Sequence, residues 1–161
     1  MKAKSIKGKS PEEIQLALTE SLADGFKPTL AIVFISIKQD RESVCEILRK
    51  NNIDILGATS SGEFIDGYQS EGEIALLLLE LLKDSYSIIF EEIGTRGIKE
   101  AASQLAQSAL QIFQNPSMVI CSTGMNSKGE YFDGETLVHS IEKAIGPDRI
   151  FFGGMAGDDG T

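Results

Sequence analysis

The chain has 161 residues, enough for one domain with a substantial core, since domains commonly run to roughly 100–150 residues. Its 24 acidic and 15 basic residues give a formal net charge of −9, which repels nucleic-acid phosphate and anionic membrane surfaces and excludes both as expected partners. Shares of 42% hydrophobic and 24% charged residues are ordinary for a soluble globular protein, and the longest apolar run, Ile74–Leu79, falls far short of the roughly 20 residues that span a bilayer.

Lys2, Lys4, Lys7 and Lys9 resemble the basic start of a signal peptide, but Ser10-Pro11-Glu12-Glu13 follows where an apolar segment would be needed. A cytoplasmic protein is therefore expected. Ser10-Pro11-Glu12-Glu13 reads as a helix start, with Ser10 as N-cap, Pro11 in the first helical position and Glu13 closing a capping box. Ile14, Ala17, Leu18, Ser21 and Leu22 mark its buried face, and Gly25 stops it. Leu30–Ile35 is continuously apolar, as a central buried strand should be. Asp40 caps a second helix with Val44, Ile47 and Leu48 on its buried stripe; Asn51-Asn52 ends it, and residues 53–58 form the next strand.

Residues 59–72 are expected to be irregular, punctuated by Gly62, Gly67 and Gly72. Residues 73–82 and 86–93 predict two strands joined by Lys83-Asp84-Ser85 as an antiparallel hairpin. A helix over about 98–114 carries Ile98, Ala101, Leu105, Ala109 and Ile112 on one face. After Pro116 comes the strand Met118–Cys121; a helix over about 134–145 buries Leu137, Ile141 and Ile145, and Gly146-Pro147 turns into a strand at 150–153. The expected fold is one α/β domain over residues 1–161. Its layered sheet of mixed strands would join parallel β-α-β units to an antiparallel hairpin, with helices on the flanks.

Strand, helix, strand and glycine loop occur twice in this order, at 30–63 and at 118–159. Each unit would be a right-handed crossover. The first ends in Leu56-Gly57-Ala58-Thr59-Ser60-Ser61-Gly62-Glu63, the second in Phe152-Gly153-Gly154-Met155-Ala156-Gly157-Asp158-Asp159. In both, an apolar strand runs into tiny residues that leave backbone N–H groups uncovered and close on a carboxylate. Loops at carboxyl strand ends are where α/β sheets usually hold small ligands. If both units share one sheet, the loops face each other across a cleft, which the loop Gly124–Gly129 could also line.

The chemistry these residues offer is recognition. Ser60, Ser61 and the loop N–H groups suit a carboxylate or phosphate, yet neither a P-loop nor a G-x-G-x-x-G follows any strand. Glu63, Asp158 and Asp159 could bind Mg²⁺ or Ca²⁺ or hold an ammonium group; a hard cation wants six or more oxygen ligands, whereas an ammonium group needs only one or two acceptors and is the easier use to satisfy. No cofactor and no metal is expected. Cys121 reads as a small core residue or a nucleophile, His139 as an ordinary helix residue, and adjacent Glu91 and Glu92 in a strand would point to opposite faces.

The ordered pair of loop motifs, with apolar strands at Leu30–Ile35 and Ile74–Leu79, resembles the N-terminal half of the FIST sensory domain over about residues 28–160. The resemblance implies a non-catalytic, ligand-sensing input module of prokaryotic signal transduction proteins, with amino acids the favoured ligands. Its implied ligand-binding residues here are Ser60, Ser61, Gly62, Glu63, Gly154, Ala156, Gly157, Asp158 and Asp159. It further implies that a C-terminal half follows and that a downstream signalling domain is the partner. Two other readings stand beside it: an enzyme using Cys121 or the Glu63, Asp158 and Asp159 carboxylates, and a structural or interaction module that pairs with a missing half or with another copy.

Overall fold

The computed structural model describes residues 1–126 and 129–157. They group into two compact units, Met1–Tyr86 with Ala156 and Gly157, and Ser87–Met155. Both are mixed α/β.

The first unit contains β1 (Lys2–Gly8), α1 (Pro11–Leu22), β2 (Leu30–Ile35), α2 (Arg41–Lys50), β3 (Asp54–Thr59), the short strands β4 (Glu63–Ile65) and β5 (Tyr68–Ser70), and β6 (Ile74–Glu80). The main sheet has the order β1-β6-β2-β3. Strand β6 is antiparallel to both β1 and β2, while β2 and β3 are parallel. Helices α1 and α2 begin where their caps place them. The Ser10 hydroxyl accepts from Glu13 N–H and the Asp40 carboxylate from Ser43 N–H. Glu13 closes its box one residue early, its carboxylate accepting from Lys9 N–H at 2.8 Å. Ile14 and Leu18 of α1 and Val44 and Leu48 of α2 bury against Val33, Ile35, Leu76 and Leu78 in one core. At about 1.5–3 kcal/mol for each fully buried aliphatic side chain, this cluster dominates the unit's stability.

The hairpin expected over 73–93 does not form. Strand β6 already has β1 on one edge and β2 on the other, so no edge is left for a third strand. Lys83–Ser85 makes a single 3₁₀ turn. The next residue, Tyr86, donates its hydroxyl to Thr29 O and Asp54 Oδ2, both at 2.8 Å, which takes the chain toward the start of β3. Residues 86–93 carry no strand. The antiparallel hairpin of this fold lies earlier, in the segment expected to be irregular: β4 pairs with β5 through Asp66 and Gly67, whose φ values of 49° and 82° are those of a tight two-residue turn.

The second unit contains α3 (Ile98–Ile112), β7 (Met118–Ser122), α4 (Gly134–Ile145) and β8 (Phe151–Met155), with β7 and β8 paired in parallel as a sheet of their own. Each crossover thus has its own sheet, and the shared sheet that the cleft required is not formed. Of the stripe expected on α3, Ala101 and Ala109 are buried and Leu105 is partly buried, but Ile112 is exposed; Ala102 and Ala106 widen the buried face, and with Ala109 they cluster with Ile141 and Ile145 of α4. Alanines at this spacing let two helix axes come close and leave the larger isoleucines to fill the seam.

Both crossovers place a glycine where the second strand presses on the first. Gly57 lies opposite Val33 and Gly153 opposite Ile120, and a Cβ at either would collide with the facing carbonyl oxygen.

Candidate functional site

Because β2 and β3 are parallel, their carboxyl ends lie at the same edge of the sheet, and the first small-residue loop leaves from there. Ser60 N–H donates to Ile35 O at 3.1 Å, so the loop begins as a continuation of the sheet. The Ser60 hydroxyl turns inward and donates to Glu63 Oε1 at 2.7 Å. Glu63 is only 2% exposed, and its Oε2 accepts from Glu73 N–H at 3.0 Å. Both oxygens of this carboxylate therefore carry protein donors, and it ties the loop to the start of β6.

Three residues that sequence reasoning did not single out complete this edge. Glu73, itself nearly buried, has its Oε1 3.3 Å from the Tyr68 hydroxyl and 3.7 Å from Lys9 Nζ. Tyr68 belongs to β5 and Lys9 follows β1, so their approach depends on the hairpin and on a strand over residues 2–8 that was not expected. The dipeptide Asp66-Gly67 between short β-prone runs was the signal that could have found the hairpin.

The two motifs meet. Gly157 N–H donates to Thr59 O at 3.1 Å. A Cβ at Gly157 would stand 3.1 Å from Ser61 N and collide with Ser61 Oγ, so only glycine lets the chain rest on this loop without displacing it. Ser61 is exposed, and Gly62 and Ala156 are half-buried. Of the nine expected ligand residues, Ser60, Ser61, Gly62, Glu63, Ala156 and Gly157 belong to the first unit. Gly154 lies on β8 in the second unit. Asp158 and Asp159 lie outside the described residues.

The remaining candidates find ordinary places. Cys121, next to last in β7, is half-buried, and burial pushes its thiol pKa up, the opposite of an activated nucleophile. His139 is exposed on α4, 3.7 Å from a Glu135 carboxylate oxygen and 3.6 Å from one of Glu142. Glu91 pairs with Arg96 at 2.6 Å on a segment that is not a strand. Among the described residues, no cluster of three or more His, Cys, Asp or Glu side chains is placed to hold a metal. No helix among them is long and apolar enough to cross a membrane.

A family model described as FIST N domain matches residues 29–161. No curated protein and no solved structure matches the chain.

Proposed function

We propose that this chain, which belongs to the FIST N domain family, is a small-molecule sensory module whose ligand is an amino acid held where the two loop motifs meet. The family is generally a sensory domain in signal transduction. The observation that carries the reading is the Gly157 N–H bond to Thr59 O, with Gly157 resting on Ser61, which joins residues nearly a hundred positions apart at one loop. A ligand carboxylate would be received by the exposed Ser61 hydroxyl and neighbouring N–H groups. Glu63 serves by holding the loop, since its oxygens are taken. The ammonium group then falls to Asp158 or Asp159, whose side chains the sequence places directly after Gly157.

The test is a thermal-shift screen against the common amino acids, with Mg²⁺ and nucleotides as controls. A ligand at about 100 times its dissociation constant adds roughly 2.7 kcal/mol of stability, which the screen detects. A shift with one amino acid or a chemically related group, lost in Ser61→Ala and Asp158→Asn, supports the reading. Silence across all amino acids removes it.

A second reading, an interaction module that pairs with another copy, is favoured by one feature. On the face of the main sheet away from α1 and α2, Phe34 is 45% and Leu77 38% exposed. A monomer throughout a sedimentation-velocity concentration series would exclude that reading.

A further inference from the structure

The second unit contains a cavity of about 870 Å³ that the proposed function does not use. Its volume lies within the roughly 300–1,000 Å³ of small-molecule sites. The floor is the face of α3 that carries Ile98, Ala101 and Leu105, and the small Ala101 between two large side chains leaves the space open. One wall is the carboxyl end of β7, where Cys121, Ser122 and Thr123 line the cavity. This is the end of a parallel strand at which α/β sheets place ligands. The segment Ile89–Thr95 also lines the cavity, and Phe132 and Leu137 complete the apolar lining.

The polar groups narrow the chemistry. Among the described residues the charged ones that line it are Glu91, paired with Arg96 at 2.6 Å, and Glu92, so an anion would meet no lining cation there. Of the three lining hydroxyls, the two at the end of β7 donate within the protein, Ser122 Oγ–H to Thr123 O at 3.2 Å and Thr123 Oγ1–H to Met125 O at 2.9 Å, and Thr95 lies on the segment before α3. The Ser122 and Thr123 hydroxyl oxygens keep lone pairs that can only accept. A ligand that matches this wall donates.

We propose that this cavity binds an uncharged small molecule with an apolar, ring-sized body and an O–H or N–H donor at one end. The occupant differs in class from an amino acid bound at the loops, and the two sites are tested separately. The probes are naphthol, its donor-free analogue methoxynaphthalene and its anionic analogue naphthoate, titrated by fluorescence against the whole 161-residue chain. Naphthol should bind about fivefold tighter than methoxynaphthalene, the size of one added hydrogen bond, and more than about tenfold tighter than naphthoate. With naphthol at about 10 times its dissociation constant, N-ethylmaleimide modification of Cys121 should slow about tenfold by mass action. Cys45 on α2, quantified in the same peptide map, should be unaffected. Ala101→Phe fills the floor and should abolish naphthol binding. Naphthol binding no tighter than naphthoate, an unprotected Cys121, or a folded Ala101→Phe variant that binds naphthol as the native chain does would each overturn the proposal. If Ala101→Phe does not fold, Cys121 protection in the native chain decides.

Discussion

Replacing Glu63 by alanine should destabilise the first unit by about 3 kcal/mol, the upper end for one hydrogen bond to a charged group, because two such bonds are lost from a buried place without full additivity. The Ser60 hydroxyl can rotate to another acceptor. The Glu73 N–H cannot, being fixed at the entry to β6, where Glu73 is 9% exposed. The loss therefore concentrates on that amide. Glu63→Gln keeps the geometry: its carbonyl oxygen can accept from Glu73 N–H and its amide nitrogen can donate to Ser60 Oγ. Its cost should be near 1 kcal/mol, the difference between charged and neutral acceptors. Urea unfolding followed by far-ultraviolet circular dichroism measures the global effect. Amide exchange of Glu73 by NMR measures the local one, where about 3 kcal/mol appears as roughly a hundredfold faster exchange. A Glu63→Ala variant with native midpoint and native Glu73 exchange would refute the assignment of Glu63 as the tie between loop and strand. A glutamine variant as unstable as the alanine one would show that charge, and not acceptor geometry, is what matters.

Asp54 is held below the usual carboxylate range by Lys83 at 2.6 Å and by the Tyr86 hydroxyl. Its contribution to stability is therefore present above the ordinary aspartate pKa of about 4 and is lost as pH falls through the lower folded value; in urea titrations Asp54→Asn should flatten that acid limb. Lys83 is raised by the same contact, so its share persists below the ordinary lysine value and disappears as pH climbs through the raised one, which Lys83→Met should abolish. Gly57→Ala forces a methyl group onto Val33 O and should lower stability by about 1–3 kcal/mol in urea unfolding; a native midpoint would mean that the two strands are not pressed together there. Cys121 should react with iodoacetamide more slowly than a model thiol at neutral pH, its rate rising only at higher pH than that of the model; a fast neutral reaction would restore the nucleophile reading.

Helices were legible because their signals are local: Ser10, Asp40 and the 3.6-residue spacing of Ile14 and Leu18 or of Val44 and Leu48 lie within a few residues of what they specify. The parallel pairing within each crossover was legible too, but the pairing of β6 was not, because its partners lie at residues 2–8 and 30–35. Lys2–Gly8 hides its nature by burying only Ile6 and Gly8, so its alternation is mostly polar. The stretch 86–93 looks like a strand, but β6, its expected partner, has both edges occupied. At the site, the carboxylate at 63 was visible but its use was not, since that depends on a hydroxyl three residues before it and an amide ten residues after it.

The position of β6 also constrains how the chain comes off the ribosome. Strands β1 and β2 are both antiparallel to β6, hence parallel to one another, with α1 between them. A nascent chain that has not yet reached Ile74 holds a complete strand–helix–strand unit whose two strands are free to zip together directly. The strand that belongs between them arrives some forty residues after β2 and pairs with Lys2 through Glu80, so native closure waits on the latest-made strand. Sequence-local contacts form first and distant ones late. A β1–β2 pairing formed at that stage would be off-pathway, since both strands pair natively with β6, and the lysines along β1 leave that strand little apolar surface with which to bind prematurely.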